Sequence, residues 1–407
     1  MTFKPIYLDN AATSFPKPPA VPQAMLHYMN DIGANAGRAG HALSLAAERI
    51  VRDVREGIAA LFNIADPDRI VFTLNVTESI NTVIYGFLKE GDHVLTTSME
   101  HNAVMRPLEH LAQKGVIRYS AAPCDRQGFV DIDRLRAGVT KQTRLVIVNH
   151  ASNVCGTLQD IDAVRSAVAD IPILLDAAQT AGCVPIDVRR SGIDFLAFTG
   201  HKGLLGPQGT GGLYIREGLR VQPLKRGGTG SRSEALDQPA FLPDALESGT
   251  RNNVGIAGLG AGVAFIRQKG VDRIRSHEQQ LTQKLLHLLH DAEGVTIYGP
   301  LDPARQTATV SLTFDSLLPG EDPGFTGCGA VNLAWMEEGM PVGEAGRALE
   351  KRHDILVRHG LHCAPMAHRT IGTYPEGTLR ISIGCFNTAD EITAAARAVR
   401  QLAHNGK

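Results

Sequence analysis

The sequence is poor in aromatic residues. They make up 5% of its 407 residues, and tryptophan occurs once, at Trp335. So thin a supply, set beside 42 glycines, suits neither a β-sandwich nor a coiled coil and fits a glycine-punctuated α/β chain. Cysteine is also scarce: six residues, at 124, 155, 183, 328, 363 and 385, with no C-x-x-C pair. That pattern argues against a disulfide scaffold, a zinc ribbon or a thioredoxin motif, and no metal site is expected. Neither sign of charge is in excess, since 41 Lys and Arg stand against 42 Asp and Glu. A net charge of -1 disfavours nucleic acid or an anionic membrane as the main partner. The longest uncharged apolar stretch, 252–266, is too short to span a bilayer and is broken by glycine. The opening MTFKPIYLDN lacks the apolar core of a secretory signal, so a cytoplasmic location with reduced thiols is expected.

What the chain does contain is an alternation of short apolar runs and amphipathic periods. Leu43, Ala47, Ile50, Val54, Ile58 and Leu61 fall at three- and four-residue steps, which predicts a long helix. Further helices are expected over 77–88, 104–114 and 160–169, and strands over 93–97, 116–119, 145–148, 171–175, 195–198 and 211–215. This is the βαβ rhythm of a largely parallel sheet covered by helices on both faces. After Leu224 the pattern changes to helices over 254–266 and 274–290, strands over 295–298, 310–314 and 379–383, and a last helix over 390–403. A single core stops growing near ~250–300 residues, so two domains are expected. The boundaries read as 15–255 for a large α/β domain, and 1–14 with 256–407 for a smaller α+β domain. One stretch, 316–341, breaks the rhythm with many Pro and Gly residues and reads as an insertion; it holds Cys328 and Trp335.

Several chemically able residues follow the predicted strands. Asp176 ends the run ILLD, and Lys202 lies in GHKG after another strand. Strand C-termini of a parallel sheet gather on one edge, where ligands bind. A carboxylate and a lysine there suit pyridoxal phosphate (PLP), the acid holding the pyridine nitrogen and the amine the aldehyde carbon. An Asp–Lys pair by itself fits a surface salt bridge equally well. At the helix start in NVTES, Val76, Thr77 and free N–H groups suit a phosphate, a role compatible with capping. His101, Asn153 and Gln179 fall on the same edge, His101 able to stack on a ring and the two amides able to bond a phenolic oxygen.

The runs LDNAATS, NVTES, MEHNA, SNVCGT, DAAQ and TGHKGLLGPQGTGGLY resemble the class V (fold type I) PLP-dependent aminotransferase superfamily. ALESGTRN, GLHCAP and TLRISIGCFNTADEI extend the likeness towards its cysteine desulfurase and selenocysteine lyase branch. The resemblance implies a large domain with a mainly parallel seven-stranded sheet, a smaller α+β domain, a homodimer and PLP as cofactor. It implies that Lys202 binds the cofactor's aldehyde carbon, Asp176 its nitrogen, His101 its face, and Asn153 and Gln179 its hydroxyl oxygen. Val76, Thr77, Thr199 and His201 match the phosphate cradle, and Gly249 and Thr250 match a loop reaching the neighbouring subunit's phosphate. Arg380 matches the clamp for the substrate carboxylate, with Arg358 and Asn35 as further substrate candidates. Cys363 matches the nucleophile, and Cys328 is its rival. The implied reaction converts L-cysteine to L-alanine, with the sulfur passing as a persulfide to an acceptor protein, for instance in iron–sulfur cluster assembly. Alternatives are a selenocysteine lyase, and a class V aminotransferase or C–S lyase needing no cysteine nucleophile.

Overall fold

The computed structural model describes residues 5–37, 40–232, 234–314 and 340–405. The insertion expected at 316–341, with Cys328 and Trp335, lies outside these residues except for its last two positions.

In chain order the strands are β1 (Ile6–Tyr7), β2 (Ile70–Thr73), β3 (His93–Thr97), β4 (Arg118–Ala122), β5 (Thr143–Asn149), β6 (Ile173–Asp176) and β7 (Phe195–Thr199). They continue with β8 (Gly211–Ile215), β9 (Val295–Tyr298), β10 (Thr309–Phe314), β11 (Ile355–Leu356), β12 (Arg358–Gly360) and β13 (Thr378–Ser382). Strands β2 to β8 build one seven-stranded sheet in the order β2-β8-β7-β6-β5-β3-β4. Its neighbours are parallel except where β8 pairs with β2 and β7. The expected mainly parallel α/β fold is therefore present.

Side chains of a strand alternate between faces, and this sheet buries both. Val146, Val148, Leu175, Leu196 and Phe198 enter one apolar cluster. Their immediate neighbours Leu145, Ile147, Leu174, Phe195 and Ala197 enter the other. The helix Ala42–Phe62 packs Ala47, Val51, Val54, Ile58 and Phe62 into the first cluster. It begins where His41 accepts the Ser44 N–H at 3.2 Å and ends at Asn63 in the left-handed conformation, a residue type that tolerates it.

A second, antiparallel sheet has the order β12-β13-β10-β9. Its core draws on the helices Val271–Leu289, Val342–His353 and Ala389–Asn405 through Leu285, Leu349 and Val399, with Leu8 added from the N-terminal segment. That segment runs β1 parallel to β11 and bridges Asp9 to Ser382. The helix Val342–His353 escapes a periodicity search because Gly343 and Gly346 interrupt it. A Cβ on Gly346 would stand 2.7 Å from the His359 ring, so the glycine permits close packing against β12. Among the described residues no helix is long and apolar enough to cross a membrane.

Candidate active site

Parallel strands end on a common edge, and here β3, β5, β6 and β7 lead into His101, Asn153, Asp176 and Lys202. Asp176 closes β6, is buried, and accepts the Ala178 N–H at 2.9 Å. Burial raises its pKa, against the opposing pull of that N–H group and of Lys202. Lys202 sits in a turn where chains nearly touch: a Cβ on Gly203 would lie 2.5 Å from the Ala181 carbonyl oxygen. Burial drives the Lys202 ammonium down to about 8 against the attraction of Asp176, with Arg380 and Arg358 adding to the fall. The N-terminal segment clamps this turn. Ser14 Oγ donates to the Lys202 carbonyl at 2.8 Å, and Lys17 Nζ donates to the His201 carbonyl at 2.7 Å.

His101 caps the helix Asn102–Gln113, its Nδ1 accepting the Ala103 N–H at 3.0 Å. That bond leaves the ring proton on Nε2. Burial, then Lys202 and Arg358, push His101 down to about 4, so the ring is neutral at pH 7. The preceding Glu100 is fully buried. Its Oε1 accepts from Thr97 Oγ1 at 2.8 Å and from the Asn149 N–H at 3.0 Å, while Oε2 has no partner. Burial lifts its pKa to about 8.

Cys363 is exposed and lies 3.8 Å from Arg358 Nη2. Strands β12 and β13 pair Arg358 directly with Arg380. Arg380 is 1% exposed; its Nη1 donates to the Asn153 carbonyl at 3.0 Å and its Nη2 to Asp9 Oδ1 at 2.6 Å. Asn153 Nδ2 donates in turn to the His362 carbonyl at 2.7 Å. Lys202 and His101 are coupled electrostatically to Arg358 and Arg380, which places them in one group with the cysteine. Gln179 turns its Nε2 to the Ala11 carbonyl at 3.2 Å.

The residues fit PLP. Thr199 Oγ1 and His201 Nδ1 are buried without a partner. Gly211 of β8 pairs with Thr199, and a Cβ on it would stand 2.8 Å from Asn75 Cα, so the start of the helix Val76–Phe87 abuts β8 beside Thr199. Unspent donors at a helix N-terminus beside an unspent hydroxyl suit a phosphate. Asp176 and Lys202 are an acid and an amine of the kind its ring would need.

Three expected residues lie elsewhere. Asn35 Nδ2 meets Thr250 Oγ1 at 3.5 Å, and Asn35 Oδ1 accepts from Asn253 Nδ2 at 3.4 Å. Asn35 therefore joins the loop of Gly249 and Thr250, both exposed, rather than the arginine–cysteine group. A buried carboxylate braces that loop. Glu247 binds Arg55 with both oxygens at 2.9 and 3.1 Å, and also accepts from the Phe72 N–H at 2.7 Å and from Arg251 at 2.5 Å.

Sequence reasoning missed Asp9, Lys17, Glu100, Glu247 and His362 as parts of this assembly. Asp9 and Glu247 stand inside quoted motifs, but their partners Arg380 and Arg55 are distant in sequence and no local spacing links them.

Comparison with known proteins gives a concordant picture. Residues 6–394 match the family model "Aminotransferase class-V". A probable cysteine desulfurase of Methanothermobacter thermautotrophicus is 34% identical, with 98% of this chain and 95% of the relative covered. A cysteine desulfurase of Yersinia pseudotuberculosis is 32% identical over 98% of this chain and 93% of its own. Among solved structures, the apo cysteine desulfurase of Thermococcus onnurineus superposes with a TM-score of 0.86 at 31% identity, covering 98% of this chain and 95% of that one. An S-sulfonic acid form of a cysteine desulfurase from Escherichia coli gives 0.81 at 27% identity, with 98% and 95% covered.

Proposed function

The chain belongs to the class-V aminotransferase family, whose members depend on pyridoxal phosphate, and we propose that it is a cysteine desulfurase converting L-cysteine to L-alanine. The observation that carries this reading is the approach of Arg358 to Cys363 Sγ at 3.8 Å, in register with Arg380 and electrostatically joined to Lys202.

When bound, PLP supplies an electron sink for the Cα of an amino acid. Asp176 would hold its nitrogen, Lys202 its aldehyde carbon and His101 its face. Asn153 and Gln179 would hold its hydroxyl oxygen, and Val76, Thr77, Thr199 and His201 its phosphate. Arg380 and Arg358 orient the substrate carboxylate, a planar anion that guanidinium groups match. Once the substrate's amine has displaced it, Lys202, with its pKa brought down to about 8, would take the proton from the substrate Cα. Cys363 attacks the substrate sulfur. A sulfur–sulfur bond forms, the carbon–sulfur bond breaks with its electron pair left on Cβ, Cβ takes up a proton, and Lys202 returns the proton to Cα to complete alanine. The persulfide on Cys363 then passes to a thiol of an acceptor protein. Cys363 suits such a handover because it is exposed.

The exposed Gly249 and Thr250, with the half-buried Asn35 beside them, support a homodimer in which this loop reaches the partner subunit's phosphate site. The five described cysteines are free thiols, which supports work in the reducing cytoplasm.

The deciding experiment is turnover of L-cysteine by wild type and Cys363→Ala, with alanine, sulfide, pyruvate and ammonia measured together. The variant should keep the cofactor's visible absorbance and lose alanine and sulfide. Full sulfide release by the variant would overturn the assignment, and pyruvate with ammonia would mark a C–S lyase.

A further inference from the structure

The nucleophile occupies an unusual stretch of backbone. His362 and Cys363 both have positive φ, 48° and 59°, and neither is glycine. Consecutive L-residues in this region persist only where surroundings impose it, and such sites concentrate where function needs a fixed geometry. Three bonds hold the main chain. The His362 carbonyl accepts from Asn153 Nδ2 at 2.7 Å, the Cys363 carbonyl from the Asn102 N–H at 2.9 Å, and the Leu361 carbonyl from the Ala364 N–H at 2.9 Å.

A fourth hold comes from the His362 ring, which is 3% exposed. Its Nε2 lies 3.1 Å from the Thr378 carbonyl and 3.2 Å from Thr378 Oγ1. A carbonyl only accepts, so Nε2 carries the proton and the ring is the donor. Thr378 Oγ1 lies 2.8 Å from Ser311 Oγ, and Ser311 Oγ donates to the Val154 carbonyl at 2.7 Å. Ser311 has one hydroxyl proton and spends it on Val154, so Thr378 donates to Ser311 and accepts from His362. The direction of donation is therefore fixed along the whole chain. It ends on Val154, next to the Asn153 that grips the His362 main chain. The ring and carbonyl of one residue are anchored to two adjacent residues by separate routes, which closes a loop of bonds around the turn. Burial lowers the imidazole pKa to about 2, with Arg380 and His368 adding to it, so the ring stays the neutral donor this arrangement needs.

We propose that His362 is the positioning residue of the nucleophile: through the relay Thr378–Ser311–Val154 it locks the His362–Cys363 turn and so fixes where the Cys363 sulfur stands. This rests on Cys363 being the sulfur acceptor. His362 touches neither the arginines nor Lys202 in this relay, so its role concerns sulfur abstraction and not binding or Cα proton removal.

The test uses the holoenzyme with His362→Asn, whose side chain tolerates positive φ but cannot reach Thr378, together with Thr378→Val. His362→Asn should lower kcat for alanine formation from cysteine by about 10- to 100-fold, the scale expected of a misplaced reacting group. KM and the cofactor absorbance should stay at wild-type values. Exchange of the α-hydrogen of L-alanine with solvent deuterium needs Lys202 but not Cys363, and should be unchanged. In the cofactor-free protein, amide hydrogen exchange across 361–364 should quicken. The double variant should lose no more than the worse single one, since both break one relay. An unchanged kcat, an equal fall in alanine exchange, or unchanged amide exchange at 361–364 would each overturn the proposal. Failure of the wild type itself to yield alanine and sulfide would instead overturn the desulfurase reading, and the amide-exchange measurement would still decide whether the relay holds the turn.

Discussion

Asp9 holds Arg380 by an ion pair of 2.6 Å that joins positions 371 residues apart. The arginine expected to clamp a substrate carboxylate is thus already engaged at both terminal nitrogens, by Asp9 and by the Asn153 carbonyl. Each of those nitrogens keeps a second N–H, so the pair aims the guanidinium rather than consuming it. Asp9→Asn should raise the KM for cysteine about 10-fold, the worth of one charge-assisted bond. Removing one partner of a mostly buried pair should also lower stability by about 2–4 kcal/mol in urea unfolding. Unchanged KM and stability would show that Arg380 orients itself.

Lys202 must be a neutral amine to react with an aldehyde. Its pKa of about 8 in the cofactor-free protein means that the neutral fraction climbs as pH rises through that value. The rate at which added PLP develops visible absorbance should therefore increase about 10-fold per pH unit below 8 and level off above it. A pH-independent rate between 6 and 8 would contradict this.

Two buried carboxyls set the alkaline side of stability. Glu100 and Glu278 keep their protons up to about 8, against 4.5 for a free glutamate, because of burial. The folded chain binds more protons than the unfolded one across that window, so stability falls as pH rises through it. Buried histidines work the other way. His101, His150, His201 and His368 are pushed to about 4 from 6.5, chiefly by burial, so their contribution grows between those values and is complete above them. Glu100→Gln should consequently flatten the loss of stability between pH 6.5 and 8, read from urea midpoints. A wild-type slope in the variant would refute the assignment.

Glu247 is 6% exposed and its charge is balanced by Arg55 and Arg251. Burial would raise its pKa, but Arg55 prevails and holds it below the ordinary value. Glu247→Ala leaves Arg55 buried and unpaired, and should cost about 3–5 kcal/mol. Because Glu247 anchors the loop of Gly249 and Thr250, the variant should also release PLP faster in equilibrium dialysis. A stable variant with normal cofactor retention would mean that the loop is held by other contacts.

Much of the site was legible because strand ends need no distant information. The run HVLTT in β3, LVIVN in β5 and ILLD in β6 announce buried parallel strands, and His101, Asn153 and Asp176 follow from their ends. What escaped depends on chain crossings. β12 is three residues long and shows no alternation, yet it sets Arg358 opposite Arg380. Asn35 carries no local sign that its amide turns to Thr250. Cysteine does not favour the left-handed backbone that Cys363 adopts, so tertiary bonds must hold it there.

The clamp of the N-terminal segment on the lysine turn has a consequence for biosynthesis. Thr13, Ser14 and Lys17 leave the ribosome well before their partners His201 and Lys202, and Asp9 and Asn10 precede their partners Arg380 and Ser382 by 371 and 372 residues. Asp9 and Asn10 must wait, unpaired, while all the residues between them and their partners are made. The seven-stranded sheet can close earlier from its own contacts, but the lysine pocket cannot be completed until β13 has been synthesised. A ribosome stalled before that strand would display a folded sheet with an unfinished pocket.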